Sequence, residues 1–123
     1  MHSVDRLVFV VEDDADIRDM IRQILELEGY RVLTASDGSE ALDHIRHAGE
    51  RPSVILLDLM MPGMNGWEFR AAQLKDPTLA DIPVVVLSGD GTVAAKAGTM
   101  NAAGFLRKPV ELATLLETVS RFC

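Results

Sequence analysis

Short apolar runs alternate with helical patterns along the chain. Leu7-Val8-Phe9-Val10-Val11 is continuously apolar, mostly β-branched or aromatic, and stops at three acids. Such a run predicts a strand buried on both faces. Asp14 or Asp16 can cap the helix that follows. Its apolar residues Ile17, Met20, Ile21, Ile24 and Leu25 recur at i, i+3, i+4, i+7 and i+8, a single helical face. Gly29 supplies the left-handed residue that closes such a helix. Further strands are predicted over Tyr30–Ala35, Val54–Leu57, Ile82–Leu87 and Gly104–Arg107. Pro83 sits near the start of the fourth run, where a missing ladder donor does least harm.

Helices are predicted between these runs. One follows Ser36-Asp37-Gly38 and carries Ala41, Leu42 and Ile45; another spans Trp67–Lys75 after a Pro/Gly/Asn loop, Leu59–Gly66. A weak helix is predicted over Val93–Asn101, where Val93 and Met100 are the large apolar groups. The last helix places Leu112, Leu115, Leu116 and Val119 on one face, extended by Phe122. Five strands alternating with five helices predict an α/β protein with a parallel sheet and right-handed crossovers.

Length and composition narrow the class. The 123 residues set an expectation of one domain over 1–123, without repeat or linker. Cys123 is the sole cysteine, which excludes an internal disulfide and a zinc cluster. With 12 basic against 19 acidic residues the net charge is −7, unsuited to gripping a phosphate backbone. There is no apolar run long enough to span a bilayer and no signal-like start, so a soluble, cytoplasmic protein is expected.

In an open parallel sheet, ligands bind beyond the carboxyl ends of the strands. The first run delivers Glu12, Asp13 and Asp14 there, the second Ser36 and Asp37, the third Asp58, the fourth Ser88 and the fifth Lys108. Any one of these could simply mark where a strand leaves the core; together they make a pattern. If the first and third strands are neighbours, Glu12, Asp13 and Asp58 crowd three negative charges. Two unit charges about 4 Å apart repel by about 4 kcal/mol at an effective dielectric of about 20. Protonation or a bound cation relieves that cost, and carboxylate oxygens without Cys or His favour Mg²⁺ or a similar ion. A cation, the Lys108 ammonium and the Ser88 hydroxyl around one carboxylate form a receptor for a phosphoryl group. Asp58, alone at its strand end, is the best nucleophile; Glu12 and Asp13 are better placed to hold metal, and Asp14 to cap the helix.

These residues also resemble a known family, the receiver domain of two-component response regulators, over essentially the whole chain. Val10-Val11-Glu12-Asp13-Asp14 looks like the family's first strand and acidic pair. Ala35-Ser36-Asp37-Gly38-Ser39-Glu40-Ala41-Leu42 is similar to its second strand-to-helix junction. Asp58-Leu59-Met60-Met61-Pro62-Gly63-Met64-Asn65-Gly66 resembles its phosphorylation loop, and Lys108-Pro109 its lysine and cis proline. The resemblance implies a flavodoxin-like, doubly wound (βα)5 fold with a five-stranded parallel sheet in the order 2-1-3-4-5. It implies Asp58 as phosphoacceptor, with Mg²⁺ (or Mn²⁺) held by Glu12, Asp13, Asp58 and the Met60 carbonyl. Ser88 becomes the switch hydroxyl, Lys108 the phosphoryl contact and Phe105 the switch aromatic. The implied partners are a sensor histidine kinase or phosphotransfer protein and a downstream protein target, with neither nucleic acid nor membrane; whether a second copy joins in a dimer stays open. The expected product is a switch that catalyses its own aspartyl phosphorylation and dephosphorylation, with no output domain attached.

Departures from the family pattern are few. Ser88 and Lys108 are 108 − 88 = 20 positions apart, about two fewer than the family pattern suggests. Phe105 replaces a frequent Tyr, Val110 replaces a frequent aromatic, and Met60 and Asp90 occupy rate-tuning positions. Among the smaller signals, Met60, Met61 and Met64 read as packing, and His2, His44 and His47 as surface groups. Trp67 reads as packed or half-exposed near the pocket. Phe105 and Leu106 could belong to the core or to a partner surface. Asp14, Arg18 and Arg22 read as solvated charge on a helix that in the family commonly meets the kinase. A constitutive interaction module of the same fold (a pseudo-receiver) is the alternative; a flavodoxin-like cofactor site is disfavoured because Glu12-Asp13-Asp14 would repel a phosphate.

Overall fold

A computed structural model describes residues 6–89 and 93–123, apart from the side chains of Val93, Ala94 and Lys96. His2 and Asp90 lie outside the described residues, as does the side chain of Val93. The chain alternates β1 (Leu7–Val11), α1 (Ala15–Leu27), β2 (Arg31–Ala35), α2 (Gly38–His47), β3 (Val54–Asp58), α3 (Gly66–Lys75), β4 (Val84–Ser88), α4 (Val93–Thr99), β5 (Gly104–Arg107) and α5 (Leu112–Ser120). The strands form one sheet in the order β2-β1-β3-β4-β5, with every pairing parallel. This is the flavodoxin-like arrangement.

Alternation along each strand divides the core in two. Phe9, Val11, Ile55, Leu57, Val84 and Val86 face the side covered by α2, α3 and α4. Val8, Val10, Val54, Leu56, Val85 and Leu87 face α1 and α5, meeting Ile21, Leu25, Leu115 and Val119. The three inner strands are buried throughout, whereas β2 and β5 expose positions because each has one neighbour only. Asp14 caps α1, accepting from the Asp16 and Ile17 amides. At the other end Gly29 takes φ 94°, while the amides of Gly29 and Tyr30 donate to Glu26 and Leu25 carbonyls. These two bonds make a Schellman closure, which draws Tyr30 into the helix end and starts β2 at Arg31.

Four expectations need correcting. The fourth strand begins at Val84 rather than Ile82, because Pro83 has no amide and the Ile82 carbonyl is taken by Gln73 Nε2 at 3.1 Å. Leu112 does not join the apolar face of the last helix: it is 55% exposed, and α5 docks through Leu115, Thr118 and Val119. Arg18 is not merely solvated, since its guanidinium donates to the Glu12 carbonyl at 2.9 Å. Nor is His44 a free surface group; it is half-buried, with Nδ1 2.8 Å from the Thr34 carbonyl.

Candidate functional site

Pairing β1 with both β2 and β3 brings the acids together. Val11 is in register with Leu57, so the residues that follow, Glu12 and Asp58, leave the sheet side by side. One carboxylate oxygen each from Glu12, Asp13 and Asp58 lies within 4.8 Å of the others. Glu12 and Asp58 are buried and Asp13 is exposed, so the cluster opens to solvent at one side. Lys108, carried past β5, closes the other side. Its Nζ lies 2.6 Å from Glu12 Oε1 and 3.3 Å from Asp58 Oδ1. Ser88 is buried at the end of β4, and its carbonyl accepts the Lys108 amide at 3.0 Å. The Lys108–Pro109 peptide is cis.

The loop after β3 is held by its own backbone. The Met60 amide donates to Asp58 Oδ1 at 3.2 Å, and the Gly66 amide to the Leu59 carbonyl at 3.1 Å. Gly66 stands so close to β3 that an added Cβ would meet the Asp58 carbonyl oxygen at 2.5 Å. Glu68 and Asn65 exchange bonds with each other's amides in a capping box that starts α3. Behind the loop, Gly38 donates to the Met64 carbonyl at 3.0 Å, and a Cβ there would strike Met64. Met61 is buried and Met64 is packed on the core, while Met60 is exposed. Phe105 points outward at 46% exposure, and its neighbour Leu106 is buried. Trp67, on the first turn of α3, is at the edge of exposure.

Electrostatics follow from this crowding. Burial, reinforced by the Asp13 and Glu12 carboxyls and partly opposed by Lys108, pushes the Asp58 carboxyl up to about 7. Burial also works against the Asp13 anion, but bonding to Asp58 and Glu12 outweighs it and holds Asp13 below its ordinary value. Desolvation disfavours charge on Lys108, yet Glu12 and then Asp58 hold its ammonium above the usual lysine value. Glu12 Oε1 is fully buried; Lys108 is its close cation, and among the described residues no aligned hydrogen bond reaches it. Among the described residues one ammonium faces three carboxyl groups. That deficit of positive charge, with an all-oxygen donor set, fits a divalent cation such as Mg²⁺.

The structure brings together Glu12, Asp13, Asp58 and Lys108, all named from the sequence; the sequence reading took Arg18 for solvated charge and passed over Arg70 and Gln73. Arg18 holds the Glu12 carbonyl as described above. Arg70 and Gln73 are buried on α3 behind the loop; both look like surface residues by type, and only their i, i+3 spacing beside Phe69 hints otherwise.

Comparison with known proteins agrees with this geometry. Residues 8–120 match the family model of the response regulator receiver domain. The response regulators MprA of Mycolicibacterium vanbaalenii and of Mycobacterium tuberculosis are each 39% identical over 111 residues, covering 89% of this chain and 46% of the relative. The chain thus spans under half the length of these relatives. Among solved structures, the chemotaxis protein CheY4 of Vibrio cholerae superposes with a TM-score of 0.87 at 34% identity, covering 97% of this chain and 99% of that one. The receiver domain of NtrX from Brucella abortus gives 0.81 at 31% identity, covering 93% and 95%. Fold, acidic cluster and relatives converge: the chain belongs to the response regulator receiver domains of two-component systems.

Proposed function

We propose that Asp58 accepts a phosphoryl group from a phosphohistidine on a sensor histidine kinase or phosphotransfer protein. The supporting observation is the meeting of Glu12, Asp13 and Asp58 with Lys108 Nζ at the carboxyl edge of the sheet. An Asp58 carboxylate oxygen attacks phosphorus as the bond to the donor nitrogen breaks. The electron pair leaves with the imidazole, and an aspartyl phosphate remains. Lys108 neutralises charge on the phosphoryl oxygens, and Ser88 donates its hydroxyl to one of them. Glu12, Asp13, Asp58 and the Met60 carbonyl would hold a Mg²⁺, which would supply further positive charge beside the phosphoryl oxygens. Water attack on phosphorus later returns Asp58 and inorganic phosphate, so the domain catalyses both its loading and its reset.

The modification acts as a switch. A phosphoryl group adds about −1.5 to −2 charge, and its contacts to Ser88 and Lys108 favour one arrangement of the loops. Shifting an equilibrium from about 1:99 to 99:1 takes about 5.5 kcal/mol of differential contact. Two charge-assisted contacts at roughly 1.5–3 kcal/mol each supply most of it. Phe105, exposed in this structure, turns inward with Ser88, changing the surface offered to a downstream protein or to a second copy of the chain. The absence of a membrane-length apolar helix among the described residues is consistent with a cytoplasmic setting. Among the described residues the acidic cluster retains all three carboxyls together with Ser88 and Lys108, which favours this reading over a constitutive interaction module.

The test is intact mass after incubation with Mg²⁺ and acetyl phosphate. A gain of one phosphoryl group that Asp58→Asn abolishes supports the reading. No gain, with or without a kinase, transfers the assignment to the interaction module.

A further inference from the structure

α3 buries the wrong residues for an ordinary amphipathic helix. Its inward side carries Arg70 and Gln73 beside Phe69, while Leu74 faces solvent. Arg70 is only 7% exposed, and among the described residues no carboxylate pairs with it. Its guanidinium is instead spread over three neutral oxygens. Nε donates to the Met100 carbonyl at 3.2 Å, Nη2 to the Asn101 carbonyl at 3.0 Å, and Nη1 to Gln73 Oε1 at 2.7 Å. Gln73 in turn donates to the Leu79 and Ile82 carbonyls at 2.9 and 3.1 Å. The network ties three segments, α3, the turn after α4 and the entry to β4, through one buried cation.

Met100 and Asn101 close α4. Asn101 takes φ 54°, and the Ala102 amide donates back to the Ala97 carbonyl at 3.0 Å. The guanidinium therefore sits at the negative end of a seven-residue helix that has few large apolar groups to hold it. Burying a cation on neutral carbonyls is costly unless the geometry satisfies it, and a planar fork on two successive carbonyls does so where an ammonium would not. α3, which carries Arg70, begins at Gly66, and Gly66 is pressed on the Asp58 carbonyl. One rigid element thus has the acceptor loop at its start and the α4–β5 turn fastened to its first turns.

We propose that Arg70 is a positioning residue that fastens the α4–β5 turn to α3, so that a change at the Asp58 loop is carried to β5 and its Phe105. The fastening stands on the bonds above; the transmission rests on Asp58 being the phosphoacceptor. Lys108, at the far end of β5, reaches back to Asp58, which makes the connection a closed ring: loop, α3, Arg70, turn, β5, Lys108, Asp58.

Hydrogen exchange resolved by residue tests both parts, using the full chain and its Arg70→Met variant. Without a phosphoryl donor, the Asn101 and Ala102 amides of the variant exchange about ten- to a hundredfold faster, the loss expected for charge-assisted bonds. The Val85, Val86 and Leu87 amides keep their wild-type protection and report that the sheet is intact. With Mg²⁺ and acetyl phosphate, wild type gains one phosphoryl group by mass and its Asn101 and Ala102 exchange changes. Arg70→Met gains the same mass without that change. Arg70→Lys, which keeps the charge but not the fork, is read in the same way if the methionine variant does not fold. Unchanged protection at Asn101 and Ala102 overturns the fastening; a donor response that survives the substitution in full overturns the transmission. A wild type that gains no mass overturns the acceptor reading and the transmission with it, while the donor-free exchange still decides the fastening.

Discussion

Among the described residues two places bury charge, and they treat it in opposite ways. At the carboxyl edge of the sheet, Glu12, Asp13 and Asp58 meet one ammonium, and Glu12 Oε1 is left without an aligned hydrogen bond. Behind α3, Arg70 has three oxygens placed for its three nitrogens, and both amide hydrogens of Gln73 find carbonyls. The first cluster is under-neutralised and open at Asp13; the second is satisfied and closed. A buried charge whose partners are complete holds structure together. One whose partners are incomplete is prepared for something that arrives from outside.

The sharpest break in this comparison is Asp58→Asn, which removes the proposed nucleophile but keeps its volume. Phosphoryl incorporation from acetyl phosphate should fall to nothing, as read by intact mass. Lys108→Met deletes the lone ammonium of the open cluster, and the rate of mass gain should drop by about a hundredfold, the scale of losing one charge-stabilising group. In the closed cluster, Gln73→Leu strips an acceptor from Arg70 and takes the side-chain donor away from the Ile82 carbonyl. It should cost about 2 kcal/mol in urea unfolding while leaving the rate of phosphoryl gain near wild type.

pH separates the clusters more gently. The Asp58 carboxyl titrates at about 7, above its ordinary value of 3.8, so the folded chain binds this proton more tightly than the unfolded chain does. Its contribution is fully present below the ordinary carboxylate value and is lost as pH rises through about 7. The depressed Asp13 has the opposite sign, but its window lies below its ordinary 3.8. Metal-free protein should therefore be more stable at pH 5.5 than at pH 8.5 by at least about 1 kcal/mol. Asp58→Asn should flatten that slope, and Mg²⁺ should stabilise wild type more at the higher pH. The smallest effect belongs to Leu27, 85% exposed on α1. Leu27→Glu should move the unfolding midpoint by no more than about 0.5 kcal/mol equivalent, a surface baseline for the others.

Which parts the sequence revealed follows from the same contrast. Glu12, Asp13, Asp58, Ser88 and Lys108 could be read because each lies at the carboxyl end of a strand run, where a continuously apolar stretch gives way to polar residues. β5 was legible to the residue, since Gly104 and Arg107 bracket it. The start of β4 was not, because Ile82 is buried by a bond from Gln73 rather than by a ladder, and burial alone looks the same in sequence. Arg70 and Gln73 were invisible for a related reason. Their polar ends are matched by carbonyls thirty or so positions away or beyond the helix end, and side-chain type reports nothing about distant backbone. Leu112 failed in the other direction, an apolar residue in phase with the α5 stripe but on a first turn left in solvent.

Gly66 sets a condition on how such a chain can drift. Any side chain there would drive into the Asp58 carbonyl oxygen, so the codon tolerates no amino-acid replacement without shifting the end of β3. Descendants that keep the carboxylate must also inherit a bare backbone eight positions downstream, and losing either one leaves the other without a purpose.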